Sequence, residues 1–374
     1  MVREREQDAC PGALQVHQAA DGGLVRVRLP GGMLTAGQLI ALADAATRYG
    51  SSTLELTSRG SVQLRGITDE KSVADLVAGA GLLPSPTHER ARNIVSSPLS
   101  GRVGGHLDVR PWVHQLDAAI CADPALAGLP GRFWISLDDG TGDVSGLRAD
   151  LGVHALDDRT VALLLSGTDT GIRLDHADVM TTLTAVARRF VDVRGNSWRI
   201  SELDDPTEVL DDLTVTAEPG RTWPVRTKGP IGWLEQDDGR VALGAGVPLG
   251  VLPARTAEFV AAIDAPIVIT PWRSLLVCDL DEGVADVSLR VLAPQGLVFD
   301  VNSPWLDVSA CVGSPGCERS AADVRADATD AVAAGDVAGT RRHYVGCERA
   351  CGSPSIGEVL IATADGYHRR DRAR

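Results

Sequence analysis

The chain has 374 residues, 44% hydrophobic and 23% charged, which is enough to bury a substantial core in two or more domains and excludes global disorder. Its 36 basic and 50 acidic residues leave a formal charge of −14, which repels a phosphate backbone and argues against a nucleic-acid partner. The leader MVREREQDAC is charged, and no apolar run reaches the roughly eighteen residues of a membrane helix, so a cytoplasmic protein without membrane contact is expected.

Residues 23–30 alternate as a strand, and a helical pattern follows over 35–49 with Thr35 as N-cap and Gly50 as stop. A second strand is predicted at 53–56, and TSRGSVQLRG at 57–66 reads as a turn leading into a third. This makes a β-α-β-β unit within 11–83. The order returns later: 29–46 lines up with 247–265, and TSRGSVQL at 57 with TPWRSLLV at 270. The pattern predicts an internal duplication, with a second unit at 226–292 and a cleft between two pseudo-twofold-related halves that can house a large ligand.

Between the repeats, 84–215 reads as an α+β domain, with strands near 134–137 and 161–165, a helix over 179–190 and Asp/Gly turns at 138–143. A linker is expected at 216–228, where Pro219, Gly220 and Pro224 interrupt any pattern.

Four of the seven cysteines crowd into the last segment, 293–370, as Cys311-Val-Gly-Ser-Pro-Gly-Cys317 and Cys347-Glu-Arg-Ala-Cys351. Four thiolates are the number a cubane iron–sulfur cluster needs, whereas structural zinc favours shorter C-x2-C pairs; zinc is the competing reading. Gly313, Pro315 and Gly316 let the first loop curl toward sulfur, and Cys347 and Cys351 are predicted to share a helical turn. A helix over 318–334 would place its positive end beside Cys317. Cys10, Cys121 and Cys278 stand alone and receive no role.

The Cys-x5-Cys and Cys-x3-Cys pairs, with TSR and QLRG in the first repeat, resemble the nitrite and sulfite reductase superfamily over nearly the whole chain. RNIVSSPLSG at 92, ACVGSPGCERSAADVRADA at 310 and HYVGCERACGSP at 343 resemble, within it, the precorrin-3B synthase family. The implied fold is α+β, two pseudo-twofold-related halves each with a ferredoxin-like β-α-β-β unit and a mixed α/β unit. The implied activity is an oxygen-dependent oxidoreductase of aerobic cobalamin biosynthesis, hydroxylating precorrin-3A and closing a lactone to give precorrin-3B. The implied cofactors are a 4Fe-4S cluster on Cys311, Cys317, Cys347 and Cys351 and a mononuclear non-haem iron. The alternative within the superfamily is a haem-binding sulfite or nitrite reductase carrying sirohaem. A third reading is a metalloprotein in which the cysteines serve folding alone.

A precorrin carries several carboxylates, for which arginine is the expected partner. Motif position selects Arg59, Arg92 and Arg132, within a stretch that is locally positive, and Arg273 at or next to the position equivalent to Arg59 in the second repeat. The resemblance implies a lysine pair near 132–134, yet Trp134 stands where the second lysine belongs, which favours the synthase over reduction of small oxyanions. His88, His106, His114 and His343 are the candidates for the iron or for supporting the cluster. No nucleotide-binding loop survives inspection, so electrons are expected from a separate donor protein, with the tetrapyrrole and O2 as small-molecule partners.

Overall fold

Thr35 opens α1 (Ala36–Tyr49) with a capping box: its hydroxyl accepts from the Gln38 N–H at 3.2 Å, and the Gln38 side chain accepts from the Thr35 N–H at 3.0 Å. Gly50 ends the helix, which buries Leu39, Leu42, Ala43, Ala45 and Ala46. The computed structural model describes residues 10–337 and 339–370; the charged leader, 1–9, lies outside them.

The first unit is completed by β1 (His17–Ala19), β2 (Gly22–Val27), β3 (Met33–Leu34), β4 (Thr53–Leu56), β5 (Val62–Ile67) and α2 (Glu70–Gly79). The middle domain comprises β6 (Ile94–Ser96), α3 (Arg110–Ala122), β7 (Ile135–Asp138), β8 (Leu151–Ala155), β9 (Thr160–Leu165), β10 (Thr168–Asp175) and α4 (Val179–Val193). The second repeat contains β11 (Gly232–Glu235), β12 (Val241–Gly246), β13 (Val251–Pro253), α5 (Ala254–Ala261), β14 (Ile267–Ile269), β15 (Ser274–Leu280) and α6 (Glu282–Leu292). The C-terminal segment adds β16 (Val308–Ala310), α7 (Val324–Ala333), β17 (Arg342–Val345), β18 (Glu358–Thr363) and β19 (Gly366–Arg369).

The repeats form sheets of matching order, β1-β2-β5-β4-β13 and β11-β12-β15-β14-β3. Each half lends an edge strand to the other: β13 pairs with β4, Leu252 opposite Leu54, and β3 pairs with β14, Met33 opposite Val268. The two units therefore share one core, in which Leu39, Leu54 and Leu64 belong to the same cluster as Leu252, Ile267 and Val277. Segments 11–83 and 226–292 are thus not independently packed. Gly32 makes the close approach possible: with φ +71°, a Cβ there would lie 1.9 Å from the Ile269 carbonyl oxygen.

The other two sheets also match. In one, β6, β7 and β8 run parallel before antiparallel β9 and β10; in the other, β16, β17 and β18 run parallel before antiparallel β19. Both halves thus carry a ferredoxin-like unit and a mixed α/β unit. The segment 216–228 is not a free linker, because it bridges onto β10: Asp169 N–H donates to the Arg221 carbonyl and Gly220 N–H to the Asp169 carbonyl. No described helix is long and apolar enough to cross a membrane.

Candidate cysteine-cluster and arginine site

Parallel β16 and β17 end at Ala310 and Val345, so the loops 311–317 and 347–351 leave the same sheet edge side by side. Cys311 N–H donates to the Tyr344 carbonyl at 2.9 Å, Gly346 N–H points at Cys311 Sγ at 3.3 Å, and Ala321 N–H donates to the Gly346 carbonyl. The Cys351 thiol is pushed up first by burial and then by Cys311, Cys347 and Cys317, so the four sulfurs share one electrostatic neighbourhood. Among the described residues, no three of these sulfurs come within 4.8 Å of one another. The Gly346 N–H aimed at Cys311 Sγ suits the negative charge of a thiolate.

Two local expectations are corrected. The helix α7 begins at Val324 rather than at 318, because Asp323 caps it by accepting from the Arg325 and Ala326 N–H groups; its positive end faces that carboxylate and not Cys317. Cys347 to Ala350 closes as a single tight turn, with Ala350 at φ +48°, rather than a turn of helix.

His343, fully buried, accepts at Nδ1 from the Ser309 hydroxyl (2.8 Å) and donates from Nε2 to the Cys351 carbonyl (2.9 Å). Burial, then Arg273 and Arg341, hold it neutral with a value near 4 despite the Cys351 bond. His88 is buried and bonded to Ser85, Thr87 and the Asp123 carbonyl, and His114 is exposed. Among the described residues no two histidines converge with a carboxylate within 4.8 Å.

The arginines divide. Arg59 donates to the Gly131 carbonyl at 3.1 Å, next to Arg132, and its guanidinium lies 5.5 Å from the Trp134 ring centroid. Burial, then the charge of Arg199, lower Arg59 to about 10, where it still carries its proton at neutral pH. Arg132 is exposed and stands over Trp198. Arg92 is committed elsewhere: it is buried, grips Asp117 with two 2.7 Å bonds and donates to the Leu82 carbonyl, which leaves no edge for a ligand.

The repeat turns superpose through their hydrogen bonds. Thr57 N–H donates to the Ser61 carbonyl, and Thr270 N–H to that of Ser274. Gly60 (φ +64°) therefore matches Arg273 (φ +55°), and Arg59 matches Trp272. Trp272 packs against the buried cluster of Val95, Trp134, Val144 and Ala149, so both turns reach the same apolar patch of the middle domain. Arg273 reaches the other way, donating to the Gly352 carbonyl beside Cys351, and lines a small cavity with Lys228, Ser309 and Arg341.

Three features had no motif to announce them. Arg28 is 2% exposed, is lowered to about 9 by burial and then by Arg26, with Glu89 opposing, and among the described residues its Nη2 has no partner, so it adds a buried cation near Arg59. Arg341 and Lys228 line the same cavity as Arg273, Lys228 held by Asp307 at 2.8 Å. In the turn 138–143, Asp138, Asp139 and Asp143 converge. Burial opposes ionisation of Asp138, but His154 and the Gly142 and Ser145 N–H groups lower it to about 2; burial and the Asp138 charge raise Asp143 to about 7.

The architecture is similar to the Mycobacterium tuberculosis NirA protein, with TM-score 0.75 and 19% identity over 93% of this chain and 73% of that one. Residues 17–77 match the nitrite/sulfite reductase ferredoxin-like half domain. This is the nitrite/sulfite reductase fold. Among proteins sharing sequence with this chain, a precorrin-3B synthase of Sinorhizobium sp is 27% identical, covering 98% of this chain and 83% of its own. The sulfite reductase [NADPH] hemoprotein beta-component of Acidithiobacillus ferrooxidans is 23% identical, covering 92% and 75%.

Proposed function

We propose that the chain is an iron–sulfur oxidoreductase that holds a carboxylate-rich tetrapyrrole between its halves and, with O2, converts precorrin-3A to precorrin-3B. The observation that carries this reading is the similarity to a precorrin-3B synthase over 98% of the chain. The collected thiols and the buried Arg28, Arg59 and Arg273 support it.

Cys311, Cys317, Cys347 and Cys351 would hold a 4Fe-4S cluster, which when bound supplies electrons one at a time. Arg59, Arg132 and Arg273 bind and orient substrate carboxylates, with Arg28 reinforcing the field around Arg59. Arg92 stands behind them as framework. Trp134 and Trp272 present flat apolar surface where the turns meet and exclude water from the arginines. Hydroxylation inserts one oxygen atom and releases the other as water, which consumes two external electrons; a separate donor protein supplies them. A mononuclear iron remains part of this reading without assigned ligands.

The test is incubation of anaerobically purified protein with precorrin-3A, a reductant system and isotopically labelled O2. A product carrying one labelled oxygen is the expected result. The similarity to a sulfite reductase hemoprotein favours a second reading, in which the cleft holds sirohaem. A strong Soret band in the isolated protein with sulfite- or nitrite-dependent electron consumption, and no oxygen incorporation, would replace the first reading with the second.

A further inference from the structure

The ferredoxin-like sheets show unlike outer faces at equivalent positions. In the second repeat, Val268 faces Leu276 across the ladder and Cys278 follows two residues on; with Ala242 they form an apolar cluster that receives Leu99. In the first repeat the corresponding positions are Glu55, Gln63 and Arg65, of which Glu55 and Arg65 are buried and Gln63 half-buried. The apolar face receives the loop after β6, and the charged face receives the loop after β16, which contains the first cysteine pair. Buried charge at one of two related faces costs desolvation, which good geometry at a specific partner offsets.

Arg65 has that partner. Its Nε and Nη2 bind the two Asp21 oxygens at 2.8 and 2.9 Å, and Nη2 also donates at 2.9 Å to the Gly316 carbonyl, 251 positions away. Its side chain is 8% exposed. Gly316 fits tightly: a Cβ there would lie 3.1 Å from an Asp21 oxygen and 2.7 Å from Val312. A second tether, Arg325 to Glu55 at 2.5 Å, joins the same face to α7 without touching the cysteine loop.

We propose that Arg65, aimed by Asp21, is a positioning residue for the 311–317 loop, fixing the peptide between Gly316 and Cys317 and so the direction of the Cys317 sulfur. This rests on the reading that the four cysteines hold a cluster. A charge-assisted bond into the Gly316 carbonyl polarises the peptide that carries the Cys317 N–H and stiffens the loop against loss of its ligand. The neutral Asp21–Arg65 pair acts through alignment rather than through net charge.

The experiment compares wild type with Arg65→Met, Arg65→Lys, Asp21→Asn and Arg325→Met, all isolated anaerobically. Iron and acid-labile sulfide are quantified, iron release to an excess chelator is timed, and the reduced-state EPR spectrum is recorded. Arg65→Met should release iron about tenfold faster with an altered EPR line shape, Arg65→Lys should largely recover the wild-type rate, and Asp21→Asn should fall between. Arg325→Met should match wild type. Wild type lacking iron and sulfide would sink the cluster reading and this proposal together. Wild type with a full cluster, but Arg65→Met and Asp21→Asn both indistinguishable from it, would sink the positioning role alone. Equal acceleration in Arg325→Met would overturn it too, by showing that any loosening of the interface suffices.

Discussion

The Arg59 guanidinium lies over the Trp134 ring, 5.5 Å from its centroid, while the symmetry-matched Trp272 of the second repeat packs against the buried cluster that contains Trp134. One apolar patch of the middle domain therefore meets both repeat turns. An arginine kept dry on an aromatic face and without a carboxylate partner can accept a substrate carboxylate without first breaking an ion pair.

Arg59 and Arg92 should consequently respond differently to loss of charge. Arg59→Met is expected to weaken tetrapyrrole binding roughly tenfold or more with little change in Tm. Arg92→Met should lower stability by about 3 kcal/mol, because it strands Asp117, while leaving affinity in the surviving protein close to wild type. Absorbance titrations and thermal melts on both variants check the split; a binding loss confined to Arg92→Met would reverse the assignment.

Asp143 should give stability a pH dependence. Burial and then the charge of Asp138 raise its carboxyl to about 7, with Ser97 and Arg226 opposing and Asp139 adding to the rise. A raised folded-state value favours the protonated form, so its contribution is complete below about 4, the ordinary carboxylate value. It is lost as pH climbs through about 7. Asp143→Asn should remove that loss, so its Tm should gain on wild type between pH 5 and pH 8. Parallel Tm curves for the two proteins would contradict the assignment.

Gly32 tests the shared core. Gly32→Ala forces a left-handed backbone on alanine and drives its Cβ toward the Ile269 carbonyl of the other repeat, with an expected cost of about 2 kcal/mol or more. Because β3 and β13 are exchanged, both repeats should melt together in one transition at lower temperature. Calorimetry resolving separate transitions for the two halves would contradict the interlock.

Cys351 is exposed on a turn outside the main cores. Cys351→Ser is expected to lower bound iron sharply while leaving the far-UV circular dichroism spectrum unchanged. Retention of a full iron and sulfide complement would remove Cys351 from the ligand set.

Much was legible locally. The Thr35 cap, the Gly50 stop and the strand at 53–56 follow from side chains within a few positions of one another, and the structure reproduces them. The duplication was legible because both repeats keep the same turn between matching strands. The start of α7 was misread because alanine-rich helix propensity outweighed Asp323, whose cap is a single hydrogen-bonding choice. Arg28 and Asp143 carried no signal, and Arg65, though inside QLRG, gave no sign of its partners, since a charged residue in an alternating strand or an acidic turn reads as solvated surface until its neighbours are known.

From the sequence alone came the repeated β-α-β-β order, the two cysteine pairs and the rough placement of arginines, all set by short-range patterning. Tertiary structure decided the exchange of β3 and β13, the matching of Gly60 with Arg273, the capture of Arg92 by Asp117 and the reach of Arg65 to Gly316. The reason is one of range. Helix caps and strand alternation are chosen among adjacent residues, whereas an arginine's partner is whichever acceptor the packed sheets bring within about 3 Å of it.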